Sequence, residues 1–275
     1  MTVRRLCLAA LLLPLLWIAL PVATESFDHD YGDYAQVLAR HLQRSGVAYA
    51  ALSADRGALD RVIAQFDAPA AQGEAGWTRE QRMAFWINAY NAFTVRAIVD
   101  AYPIQSRWFT RQPRNSIRQI PDVWTTQRWR AAGRAVSLDD IEHRVLRPVF
   151  QDARVHFAVN CASVSCPPLA AEPYRAGTLH AQLDAAARRY LASKEGLRLD
   201  GNTQRVSSIF KWYGEDFVAE YSPIVPGTRP PVERAILGVI VRFGPPDAAA
   251  RAQRNGGPEI AFLAYDWALN QAEPR

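Results

Sequence analysis

The stretch that most constrains the fold runs from Thr78 to Asp100. Thr78-Arg-Glu-Gln81 is a capping-box pattern, a hydroxyl followed three residues on by an amide, and it predicts a helix N-terminus. The helix is expected to run to about Asp100 and to stop before Pro103. Met83, Phe85, Trp86, Ile87, Tyr90, Phe93, Val95, Ile98 and Val99 cover nearly its whole circumference. A helix apolar all round is a buried one, so the rest of the chain must wrap it. Asn88 and Asn91 interrupt it at i and i+3. Buried amides need partners, so they either clamp a neighbouring loop or line a site.

The second constraint is His156-Phe-Ala-Val-Asn160-Cys161-Ala-Ser163-Val-Ser165-Cys166-Pro-Pro-Leu169. Val155 to Val159 reads as a short buried strand with a polar stop at Asn160. Pro167 biases Cys166 away from helix, so any turn begun at Cys161 ends there. A thiol fixed by a strand end and followed by a tight turn suits a nucleophile, because the turn amides can face a developing negative charge. Two other readings stand beside it: a Cys161–Cys166 disulfide, and a Cys161 that only packs as a small hydrophobe.

A base for that thiol has two candidates. Ser137-Leu-Asp-Asp140 predicts a second helix start, continuing through Glu142, His143 and Arg147 to about Pro148. Asp139 lies at i−4 and Asp140 at i−3 from His143, so a carboxylate can orient its imidazole. Glu142 points elsewhere on a regular helix. His156 sits five residues before Cys161, about 16 Å away along a straight strand, so the spacing favours His143. Asn160, Asn88 or the amides after Cys161 are candidate oxyanion donors. Asp266, between aromatics in Tyr265-Asp-Trp267, needs a cationic neighbour, a backbone turn or a catalytic His.

The rest of the chain is read more coarsely. Helices are expected over Phe27 to Arg44, Asp55 to Phe66, from Thr178 to about Leu191, and from Pro230 or Pro231 to Phe243. A strand is expected at Val47 to Leu52, a hairpin at Leu197 to Val206, and a final strand at Ile260 to Trp267. Trp108, Phe109, Trp124 and Trp129 fall in a stretch of extended segments and turns over one side of the core.

Residues 1–23 read as a signal peptide, with Arg4 and Arg5 preceding an apolar run from Leu6 to Leu20 that is short for a membrane span. Pro21 is a poor residue near the expected cut after Ala23, which leaves an uncleaved anchor as the alternative. The mature chain is expected to be periplasmic or secreted, with no other membrane association. Loss of Arg4 and Arg5 lowers the formal charge of +5 by two, which is not a nucleic-acid-binding balance. Of three Cys, Cys161 and Cys166 remain, in an oxidising compartment.

Phe85-Trp-Ile-Asn88-Ala-Tyr90-Asn91-Ala, Ser137-Leu-Asp-Asp-Ile-Glu142-His143, the His156–Leu169 stretch, Ile209-Phe-Lys-Trp212-Tyr213 and Tyr265-Asp266-Trp267 together resemble domain-of-unknown-function family 547, which occurs in exported bacterial proteins. The resemblance covers about residues 77–221 plus a last strand at 259–269. It implies that the Asn88/Asn91 helix, His143, His156 and the Cys161–Cys166 segment are family features, and it assigns none of them a role.

The expected architecture is α+β: residues 24–275 form one helix-rich domain around a small, mainly antiparallel sheet, as in papain-like and transglutaminase-like enzymes. The expected function is a cysteine-dependent hydrolase or acyl transferase acting on a peptide, protein or other amide-containing substrate. Cys161 is its nucleophile, His143 its base, Asp139 the orienting carboxylate and Asn160 an oxyanion donor. The alternative is a non-enzymatic exported binding or scaffold domain with a Cys161–Cys166 disulfide. No cofactor is expected. No metal is expected either, because His143, His156, Cys161 and Cys166 match no familiar zinc spacing.

Overall fold

A computed structural model describes residues 27–67, 74–106, 111–254 and 256–272. The signal-peptide expectation and Trp108 and Phe109 lie outside the described residues. Helix α1 (Gly32–His41) leads through the two-stranded β1 (Leu42–Gln43) and β2 (Gly46–Val47) to α2 (Tyr49–Ala54) and α3 (Gly57–Asp67). Of the expected strand at 47–52 only Val47 is in a strand, and Tyr49 onward is helix. The first helix is also shorter than its apolar pattern.

Helix α4 (Arg79–Ala101) begins as its sequence dictates. The Thr78 hydroxyl accepts from the Gln81 N–H, and the Gln81 side chain accepts from the Thr78 N–H. From Met83 to Val95 every residue of α4 is buried. α1, α2, α3 and the hairpin β3 (Trp129–Ala131)–β4 (Arg134–Val136) pack around it, with the Trp129 ring stacked on Phe93 at 5.3 Å.

Next comes an eleven-residue π-helix, Asp140–Phe150, with Pro148 inside it. Its start is held by a reciprocal pair: the Asp140 N–H donates to the Ser137 hydroxyl, and the Ser137 N–H to the Asp140 carboxylate. The expected strand at 155–159 does not form. A 3₁₀ turn, Ala153–Phe157, stands there, because Asp152 accepts the Arg154 N–H and ion-pairs with the Arg154 guanidinium. The next backbone groups are satisfied by α4 rather than by a ladder: the Asn91 amide donates to Ala158 O at 3.0 Å and accepts from Asn160 N at 2.8 Å.

The second half holds α5 (Leu179–Leu191), the hairpin β5 (Leu197–Asp200)–β6 (Thr203–Val206), α6 (Ile209–Tyr213), α7 (Val218–Tyr221), α8 (Pro231–Phe243), α9 (Pro246–Ala252) and β7 (Glu259–Phe262). β5 and β6 are antiparallel, and β7 adds to β6 in parallel. The fold is α+β, helix-rich, with small and mostly antiparallel sheets. The last strand ends at Phe262, well short of Trp267. No helix of the described residues is long and apolar enough to cross a membrane.

Two apolar clusters form the core, one around α4 and one around α8. Three elements belong to both. In the 153–157 turn Val155 faces the first and Phe157 the second. On α5, Leu183 faces the first and Tyr190 the second. In the C-terminal segment, Leu269 packs in the first and Tyr265 against the second.

Candidate active site

A cavity of about 380 Å³ opens where these clusters meet, and Cys161 lies on its wall. The loop carrying Cys161 is held rigidly from behind. Asn160 is buried: its amide donates to Pro167 O at 2.7 Å, and its side-chain oxygen accepts from Ala162 N at 2.9 Å and from the Asn270 amide at 3.2 Å. Ala162 sits in the left-handed region, φ 59°, which turns the chain sharply after the thiol. The C-terminal segment then zips along the loop, with Val164 N donating to Ala268 O and Ser165 N to Asp266 O.

Four groups surround the Cys161 sulfur. Cys166 Sγ is 2.6 Å away, and the two cysteines are not bonded. Ser163 Oγ and Tyr265 Oη each stand 3.2 Å from it. The Ser163 N–H also faces it. The hydrogen bond with Cys166, with those of Ser163 and Tyr265, outweighs burial and brings the Cys161 thiol down to about 7. Burial, and then the neighbouring Cys161, push the Cys166 thiol up. Cys161 is therefore the ionising partner, and hydroxyls and a second thiol stabilise it rather than an imidazolium.

Both histidines line the same cavity. His143 makes no hydrogen bond to Cys161. Arg147, which can only donate, approaches His143 Nδ1 at 2.9 Å, so the ring proton sits on Nε2, 3.4 Å from Asp139. The expected Asp139–His143 pair forms, with both ring nitrogens engaged. His156 differs. Its ring is buried, stacks on Tyr213 at 4.3 Å, and donates from Nε2 to Asp216 at 2.7 Å. Its Nδ1 has no protein partner among the described residues. Arg147 grips the same Asp216 through two nitrogens, at 2.6 and 3.0 Å. Burial raises the Asp216 carboxyl, but the His156 and Arg147 bonds hold it well below the usual carboxylate range.

Glu142 also reaches the cavity, accepting from the Tyr90 hydroxyl at 3.0 Å and hydrogen-bonded to Tyr213. The wider turn of a π-helix sweeps less angle per residue than the α-helix step of about 100°, so the neighbours Glu142 and His143 share one face. Trp124, Trp212 and Trp267 form the opposite wall, with the Arg118 guanidinium 4.6 Å over the Trp267 ring. Asn160 is not on the wall, and its amide is spent on the loop. Asp266 is exposed and accepts from Ala268 N, the backbone-turn role among its three candidates. Asn88 clamps Tyr174 through both backbone groups, at 2.8 and 2.9 Å.

Residues 75–191 match the model of a family described as a protein of unknown function, DUF547. That stretch of the chain is similar to the DUF547 family. No curated protein and no solved structure matches the chain. The DUF547 stretch supplies α4, the π-helix, both histidines and both cysteines, whereas Tyr213, Asp216 and Tyr265 come from beyond it. Those three, with Ser163 and Arg147, are the site residues that motif reading missed. Tyr213 and Tyr265 stood in motifs of the family resemblance, which assigned them no role. Asp216 had no local signal, because its partners are 60 and 69 residues away. Among the described residues, no group of three or more His, Cys, Asp or Glu is placed to hold a metal ion.

Proposed function

We propose that this chain is a cysteine-dependent hydrolase or acyl transferase with Cys161 as nucleophile. The observation that carries the reading is a cavity-wall thiol with two hydroxyls at 3.2 Å and an acidity raised to about 7. Such a thiol is substantially ionised at neutral pH, and the thiolate is the nucleophile.

His156 is the base in this proposal. Asp216 orients it by accepting a hydrogen bond from Nε2–H, which leaves Nδ1 as the proton acceptor, and Arg147 fixes Asp216. Catalytic hydrogen bonds commonly close only with substrate in place, so a resting Cys161 bonded to hydroxyls is compatible with this role. The Cys161 sulfur attacks a carbonyl carbon while the thiol proton passes to His156. As the tetrahedral adduct collapses, the imidazolium returns that proton to the departing amine or alcohol. Water or an acceptor nucleophile then cleaves the thioester. Once the sulfur is acylated it no longer needs Tyr265, whose hydroxyl becomes a donor for the oxyanion. His143, held by Asp139 and Arg147, shapes the wall. The substrate is an amide- or ester-bearing peptide or protein, and the chain works outside the cytoplasm after export.

The test is acylation by a p-nitrophenyl ester followed by intact mass measurement. A burst that labels Cys161, vanishes in Cys161→Ala and falls in kcat far more for His156→Ala than for His143→Ala is expected. A reduced wild-type protein that takes no acyl group overturns the proposal in favour of a non-enzymatic binding domain. Intact mass from a native-like host tests export: loss of about 23 residues is expected, and retention of Met1 means an anchor.

A further inference from the structure

Cys166 helps to acidify Cys161, but a hydroxyl in its place could donate a hydrogen bond as Ser163 and Tyr265 do. What only a second thiol adds beside a nucleophilic one is a route to oxidation. Three observations bear on what Cys166 does. The sulfurs are 2.6 Å apart on one short loop, so they can bond with little movement of the backbone. Cys161 is half-buried, whereas Cys166 is 6% exposed. The Cys161 N–H donates to Cys166 Sγ at 2.8 Å, which aims the buried sulfur at its neighbour.

We propose that Cys161 and Cys166 form a reversible redox pair, in which a peroxide oxidises Cys161 and Cys166 resolves the product as a disulfide. In the first step the Cys161 thiolate attacks the terminal oxygen of a hydroperoxide. A sulfur–oxygen bond forms, the oxygen–oxygen bond breaks, and the departing alkoxide or hydroxide takes a proton. In the second step Cys166 attacks the sulfenic sulfur, the sulfur–oxygen bond breaks, and water leaves with the Cys166 proton. Overall two thiols lose two electrons and two protons to one peroxide, which becomes an alcohol or water and a further water. A dithiol reverses the change by exchange, becoming a disulfide itself. The order of attack follows from access and acidity: Cys161 meets solvent in the cavity and is the more acidic thiol.

The consequence for the site rests on Cys161 being the nucleophile. The oxidised pair withholds that thiol, and the buried partner spares it the further, irreversible oxidation to sulfinic acid. The site is thereby switched by the redox state of its compartment and repaired by a dithiol reductant.

The experiment uses the reduced, full-length folded protein and about one equivalent of hydrogen peroxide, read by intact mass and peptide mapping. Wild-type protein is expected to lose the mass of two hydrogens, to yield a peptide cross-linked from Cys161 to Cys166, to resist iodoacetamide at both of these residues, and to recover fully with dithiothreitol. Cys166→Ser is expected to gain one oxygen and then a second on Cys161, the second not removed by dithiothreitol. The wild-type mass decides the matter even where Cys166→Ser folds poorly. Wild-type protein that gains oxygen at Cys161 without losing hydrogen overturns the proposal. So does a bond that dithiothreitol cannot open in the folded protein, which marks a structural disulfide. Ester acylation of the reduced protein is scored separately: its absence removes the nucleophile reading and leaves the redox pair standing.

Discussion

At the scale of residues, the site turns on how one thiol is made acidic. An isolated cysteine ionises near about 8.5, and burial alone drives it higher. At Cys161 the bonds from Cys166, Ser163 and Tyr265 reverse that cost. The rate of iodoacetamide alkylation at Cys161 is therefore expected to reach half its plateau near pH about 7. Tyr265→Phe and Ser163→Ala should each move the midpoint upward, while His143→Ala should leave it in place, because no hydrogen bond joins that ring to the sulfur. A midpoint at the ordinary thiol value would show that the hydroxyls do not act on the thiolate. Asp216 supplies a second pH test. Its carboxyl is held below its unfolded value of about 3.9, so its contribution to stability is complete above that pH and fades as pH falls toward the lower native value. Asp216→Asn should flatten the acid limb of thermal unfolding below about pH 4. An unchanged limb would mean that the His156–Asp216–Arg147 network adds nothing to the fold.

At the scale of elements, α4 is both the core helix and the scaffold of the site. Asn91 satisfies the backbone on either side of Val159, and Asn88 does the same for Tyr174. Leucine at either position leaves two buried backbone groups unpaired. A loss of about 1–3 kcal/mol is expected for each, measured by denaturant unfolding. Asn91→Leu should also disturb Cys161 alkylation, because it frees the loop that carries the thiol, whereas Asn88→Leu should not. α8 is packed more closely than any side chain allows at Gly238. A Cβ there would lie 2.0 Å from the Tyr221 carbonyl oxygen. Gly238→Ala must push the helix off α7, at a cost of about 1–3 kcal/mol, and a variant that melts with the wild type would refute that contact. The capping boxes and the hairpin at 197–206 were legible because their signals are local. The π-turn was not: Pro148 marks a disturbed helix, but the sequence does not say which hydrogen-bond register the helix takes.

At the scale of the whole molecule, the cavity lies on the seam between two cores, and the C-terminal segment stitches that seam. Asn270 makes four hydrogen bonds, two where β2 leads into α2 and two to the Cys161 loop: its carbonyl accepts from Val47 N, its side-chain oxygen accepts from the Tyr49 hydroxyl, its N–H donates to Ala162 O, and its amide donates to Asn160. A chain ending at Leu263 keeps β7 but loses Tyr265, Leu269 and Asn270. It should unfold at a lower temperature and show a Cys161 alkylation midpoint shifted toward the ordinary thiol value. Full stability with an unmoved midpoint would show that the segment is an appendage rather than a part of the site.

Local chemistry decided the position of α4, the Ser137–Asp140 start and the hairpin, because caps, periodicity and turns act over a few residues. Tertiary structure alone decided the rest. The 155–159 stretch has strand composition, yet it bends in a 3₁₀ turn, and Asn91 of α4 takes the backbone groups just after that turn, Ala158 O and Asn160 N, in place of a strand partner. That bend carries His156 into the cavity, where a straight strand would have held it about 16 Å from Cys161. Asp216 and Tyr265 reach the site from 60 and 104 residues along the chain from the groups they bond. No local pattern encodes such distances, because they are set by how two cores pack.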